Sequence, residues 1–62
     1  MFTVTFLNAD TGRFEISAHD ETERRARRWA SWLVQQNFVT QVCIYRGPAG
    51  GERIDTLFPE GR

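Results

Sequence analysis

The stretch Asp20–Asn37, DETERRARRWASWLVQQN, decides the fold of this chain. Its apolar residues recur at helical spacing, and no other segment is long enough for a helix of several turns. It holds both tryptophans and Arg24, Arg25, Arg27 and Arg28, four of the eight basic residues. Asp20 with Glu23 three positions on reads as a capping box that starts the helix. Asp20, Glu21 and Glu23 also place negative charge at the positive end of the helix dipole. The pairs Asp20–Arg24, Glu21–Arg25 and Glu23–Arg27 are of opposite sign four residues apart, each adding ~0.3 kcal/mol on an exposed surface. Asn37, which tolerates the left-handed conformation, is the expected cap at the other end.

On a helical wheel Thr22, Ala26, Trp29, Ala30, Leu33 and Asn37 share one side, with Val34 at its margin. That side is the expected core face, and its two alanines let the helix lie close to what is beneath. Arg24, Arg27, Ser31 and Gln35 take the opposite, solvated side. Trp32 breaks the pattern. It falls about 120° from the centre of the apolar face, on a stripe with Arg25, Arg28 and Gln36. Either its ring folds back onto Trp29 or the sheet edge, or it joins the arginines in a patch that faces a partner, since Trp and Arg are enriched at binding hot spots.

Outward from the helix the sequence alternates as strands do. Phe2, Val4 and Phe6 point one way and the threonines between them the other, which predicts a strand over residues 2–7. Asn8-Ala9-Asp10-Thr11-Gly12 is a turn, with Gly12 suited to the left-handed position. A second strand follows over 13–18, where Phe14, Ile16 and Ala18 alternate with Arg13, Glu15 and Ser17. Beyond the helix, residues 39–46, VTQVCIYR, carry apolar groups on both faces, as a central strand does. Gly47-Pro48-Ala49-Gly50-Gly51 must turn, and residues 52–58 form a fourth strand. Pro59-Glu60-Gly61-Arg62 reads as a frayed tail.

The expected fold is therefore α+β, ββαββ, with one helix packed on one face of a four-stranded antiparallel sheet in the order 2-1-3-4. The helix should cover Phe2, Val4, Phe6, Phe14, Ile16, Val42, Ile44, Ile54 and Phe58. The other face would then show Thr3, Thr5, Leu7, Arg13, Glu15, Gln41, Cys43, Tyr45, Arg53, Asp55 and Leu57. Leu7, Cys43, Tyr45 and Leu57 form an apolar island in that set. It is either a solvated face with scattered apolar residues or a contact with a second copy or a partner.

Sixty-two residues make one domain, over residues 1–62. A chain this short is marginal without a disulfide, a metal or association. One cysteine excludes an internal disulfide, and one cysteine with one histidine does not supply a four-ligand zinc site. Association with another chain, as a homodimer or with a tight hetero-partner, is the remaining way to enlarge the core. Eight basic residues balance eight acidic ones, which argues against whole-surface attraction to nucleic acid or to an anionic membrane. MFTVTFLNAD has neither a basic leader nor an apolar run of spanning length. With an unpaired thiol, a reducing cytoplasm is the expected location.

The residues offer little for catalysis. His19 beside Asp20 has no nucleophile next to it in sequence, and Cys43 lies mid-strand with no neighbouring base, as a small packing residue does. The glycines of residues 47–51 precede a strand, whereas phosphate cradling needs a helix N-terminus. No calcium loop or paired carboxylates stand out, and one helix on one sheet gives little concavity. The expectation is a protein that is not an enzyme and uses no cofactor or metal.

Arg24, Arg25, Arg27 and Arg28 with Trp32 one turn on suggest nucleic-acid binding as the competing reading. They spread over about 160° of the helix, however, and the sheet lacks the paired aromatics of an RNA-recognition surface. The leading expectation is a small cytoplasmic protein-interaction module, dimeric or bound to a larger protein, with Arg25, Arg28, Trp29, Trp32, Gln36, Tyr45 and Leu57 in the contact. In scale, a chain of this length starting at Met1 matches small inhibitors and accessory proteins of phages and mobile elements, the anti-CRISPR class among them.

Overall fold

Strand, strand, helix, strand, strand is the order found in a computed structural model of the chain, which describes residues 1–60; of the expected tail, Gly61 and Arg62 lie outside them. The elements are β1 (Phe2–Asn8), β2 (Phe14–Asp20), α1 (Glu23–Leu33), β3 (Val39–Arg46) and β4 (Glu52–Leu57). The strands form one antiparallel sheet in the order β2-β1-β3-β4. Expectation and structure agree on class, element order and strand order.

The helix is shorter at both ends than its periodicity implies. Asp20 stays in β2, opposite Phe2, so the first strand keeps a partner along its length. The cap is Thr22, extended at φ −121° and ψ 146°, whose Oγ1 accepts from the Arg25 amide. Asp20 and Glu21 therefore precede the helix, and of the three expected helix pairs Glu23–Arg27 forms, at 2.7 Å. At the other end Val34 is the cap, and the chain leaves through short turns in which Gln35 N–H donates to Trp32 O and Gln36 N–H to Leu33 O. Asn37 is not a left-handed cap: among the described residues positive φ occurs only at glycines. Gly12 does take the expected conformation, at φ 70°.

The core lies between α1 and the two central strands. Ala26, Ala30 and Leu33 face Val4, Phe6, Val39, Val42 and Ile44, all buried. Each fully buried aliphatic side chain contributes about 1.5–3 kcal/mol. The two alanines bring the helix axis down onto the sheet, as expected. Phe2, Val34, Ile54 and Leu57 close the margins, and Phe38 meets Phe6 edge-on at 5.7 Å.

Two bulges redistribute the edge strands' side chains. Along β1, Val4 opposes Ala18 but Thr5 opposes Ile16, so Ser17 is the inserted residue in β2. Along β3, Ile44 opposes Asp55 but Tyr45 opposes Arg53, so Ile54 is inserted in β4. An inserted residue reverses which face the following positions take. Phe14 and Ile16 consequently share the open face with Leu7 and Thr5 and are each 56% exposed; they are not covered by the helix, as simple alternation predicted. Glu15, Asp55 and Leu57 move the other way, to the helix side. Phe58 lies beyond β4 and is 64% exposed, also outside the expected core.

Candidate protein-interaction surface

The flanks of α1 overhang the two sheet edges with different chemistry. Toward β4, Arg27 binds Glu23 one turn back and reaches across to the Asp55 carboxylate. The hydrogen bonds from Arg27 and from the Thr56 amide hold the Asp55 carboxyl below its ordinary range, and the same two acids keep the Arg27 guanidinium firmly protonated. Toward β2 the flank is aromatic. Trp29 and Trp32 stack, with ring centroids 4.7 Å apart and planes 28° from parallel. The Trp29 indole N–H donates to Ser17 Oγ at 2.8 Å, so the bulge residue fixes the first indole and the first indole supports the second.

Both readings of Trp32 meet here. Its ring does fold back onto Trp29, yet it remains 50% exposed, and Trp29 is 37% exposed. The indole N–H of Trp29 is satisfied within the fold, which leaves its ring to serve as a fixed shelf. Arg25 and Arg28 are exposed beside the pair. Gln36 Nε2 donates to Trp32 O, bracing the last turn beneath the second indole.

The four helix arginines do not form one surface. Arg27 is tied to Glu23 and Asp55 on the β4 side, whereas Arg25 and Arg28 adjoin Trp32 on the wheel and Arg24 lies further round toward the crest. Two other expected contact residues part company with the patch. Tyr45 opposes Thr3 on the open face and is half-buried. Leu57 opposes Val42 on the helix side and packs against the core, which corrects its expected place on the bare sheet.

The open face is less wet than its threonines suggested. Thr3, Thr5 and Cys43 are buried there, although no helix covers them. The turn after β3 folds back onto Thr3. Thr3 Oγ1 donates to Gly47 O at 2.7 Å, and Gly47 N–H donates to Met1 O at 2.8 Å. Having spent its proton on Gly47, the Thr3 hydroxyl accepts from His19 Nδ1 at 3.1 Å. His19 is the β2 neighbour of Thr3, so this hydrogen bond ties the two strands on the open face. A recess of about 350 Å³ opens on the same face, between Phe14 and Ile16 on one side and Tyr45, Ala49 and Gly50 on the other. Thr5 lies at its floor, 5% exposed, with a buried hydroxyl that has no hydrogen-bond partner among the described residues. A second recess of about 460 Å³ lies at the far end of α1, where Val34 and Leu57 meet Phe58 and Pro59.

Sequence reasoning missed Phe14 and Ile16 as surface residues. Strict alternation put them in the core, and the only local sign of the bulge is the small Ser17-Ala18 pair. Among the described residues no group of three His, Cys, Asp or Glu stands where it would hold a metal ion, and no helix is long and apolar enough to cross a membrane.

Comparison with known proteins returned no matching family model, no matching curated protein and no matching solved structure. The functional reading rests on geometry alone.

Proposed function

We propose that this chain is a non-enzymatic protein-interaction module that docks on a partner protein through the β2 side of the molecule, as a small inhibitor or accessory protein does. The stacked Trp29–Trp32 pair, half-exposed and braced by Ser17, is the observation that carries the reading. A rigid aromatic platform loses little side-chain freedom on binding, and arginines at its rim add directional hydrogen bonds. Arg25 and Arg28 take that rim position, with Gln36 holding the last turn. Tyr45 contributes on the opposite face, together with Phe14 and Ile16, while Leu57 belongs to the packing under the helix. A reducing cytoplasm suits the single buried thiol of Cys43.

Capture of partners from the native host by the immobilised chain tests this. Binding should survive 0.5 M salt and fall about thirtyfold or more in Trp32→Ala, the scale of an interfacial hot spot. Binding that disappears with salt and with Arg24→Ala/Arg28→Ala, and that transfers to duplex or single-stranded nucleic acid, would reverse the assignment in favour of nucleic-acid recognition.

A further inference from the structure

We infer that the outer edge of β2 pairs antiparallel with β2 of a second copy of this chain, making one continuous eight-stranded sheet. The inference rests on the interaction reading above and names the occupant of one part of that surface. β2 ends the sheet, so one side of its backbone has no strand partner among the described residues. Its seven residues include neither proline nor lysine, although the Ser17 bulge and the charged Glu15 and Asp20 are features that elsewhere discourage edge pairing. Apolar surface borders the seam on both sides: Phe14 and Ile16 on the open face, and the two indoles above the helix face. Edge strands bordered in this way are templates for strand addition.

The choice of a second copy comes from the strand's own order of charges. With Ser17 inserted in each strand, a twofold axis at Ile16 sets that residue against its own copy, Glu15 against Ala18 of the other copy, Phe14 against its His19, and Arg13, the residue before β2, against its Asp20. Each end of the seam then carries one opposite-charge pair, the two related by symmetry. The bulge makes this register consistent with the faces. Phe14 and His19, five positions apart, would lie on opposite sides of a regular strand. Because Ser17 is inserted, Phe14 opposes Leu7 and His19 opposes Thr3, both on the open face, while Glu15 and Ala18 oppose Phe6 and Val4 on the helix face. Opposed residues in the seam therefore share a face, as antiparallel pairing requires. The inserted Ser17 lies next to the axis, where the two indole pairs flank the junction.

Sedimentation of the full chain from micromolar to millimolar concentration tests the proposal. The expected result is a monomer–dimer equilibrium, with Ile16→Lys raising the dissociation constant about a hundredfold. Arg13→Asp should weaken the dimer about tenfold, and adding Asp20→Arg in the same chain should recover most of the loss. Circular dichroism checks that each variant is folded; if Ile16→Lys is not, the charge exchange decides by itself. A strict monomer, a dimer indifferent to Ile16→Lys, or a double variant no tighter than Arg13→Asp would overturn it. A monomer whose partner capture still depends on Trp32 would remove the self-pairing alone. An edge-dependent dimer with Trp32-independent capture would instead remove the platform reading.

Discussion

β2 and β4 both end the sheet, and their surroundings could hardly differ more. β4 is six residues of which Glu52, Arg53 and Asp55 are charged. Its neighbours answer in kind: Arg46 pairs with Glu52 at 3.0 Å, and Arg27 comes down from the helix to Asp55. Charge along an edge discourages a further strand, because docking there would strip water from ions that already have partners. β2 has Phe14 and Ile16 exposed on one face and a tryptophan pair over the other. One helix on one sheet leaves two edges to manage. This chain closes one with ion pairs and borders the other, which itself carries Glu15 and Asp20, with exposed apolar rings, and that asymmetry is the basis of the functional reading.

The asymmetry should break most visibly when β2 is made to resemble β4. Ile16→Lys places a charge in the seam and should weaken self-association about a hundredfold, while Arg53→Ala on the opposite edge leaves it unchanged; sedimentation of both variants measures the contrast. The next effect in size belongs to the platform. Trp32→Ala should lower affinity for the captured partner by about 2 kcal/mol and leave the melting temperature nearly unaltered, since the indole is half in water. Calorimetry of binding and of unfolding separates the two.

Thr5→Val sharpens the comparison from beneath β2. It replaces a buried hydroxyl without a partner among the described residues by a methyl of the same shape, so the isolated chain should become more stable, by about 1 kcal/mol. Denaturant melts read the change directly. The smallest effect is expected at β4. Asp55 has a lowered pKa in the folded chain because of its hydrogen bonds to Arg27 and Thr56. Its contribution to stability is therefore full above the ordinary carboxylate pKa, about 3.9, and is lost as pH falls through the lower folded value. Asp55→Asn should melt slightly below the parent at pH 7 and level with it in strong acid, a modest difference because the pair is exposed.

Much of this architecture was legible in the sequence. The helix is the sole segment with its period, β3 is apolar on both sides and so central, and the two turns fix the hairpin neighbours, though not by themselves the order 2-1-3-4. The stacking of Trp32 on Trp29 was foreseeable from their spacing of three. What escaped was the side-chain parity of the edge strands. A bulge adds one residue without a glycine or proline to announce it: Ser17 moves Phe14 and Ile16 outward, and Ile54 moves Leu57 inward. The helix start escaped for a related reason: Asp20 and Thr22 are both good caps, and the choice was made by the need of β1 for a partner as far as Phe2. Local chemistry proposes alternatives of nearly equal free energy here, and the pairing of distant strands selects among them.

The most direct measurement is amide hydrogen exchange of the full chain, followed residue by residue at dilute and at millimolar concentration. Pairing at the apolar edge predicts that amides of β2 slow as concentration rises while those of β4 do not. Equal slowing at both edges, or none at either, would contradict it.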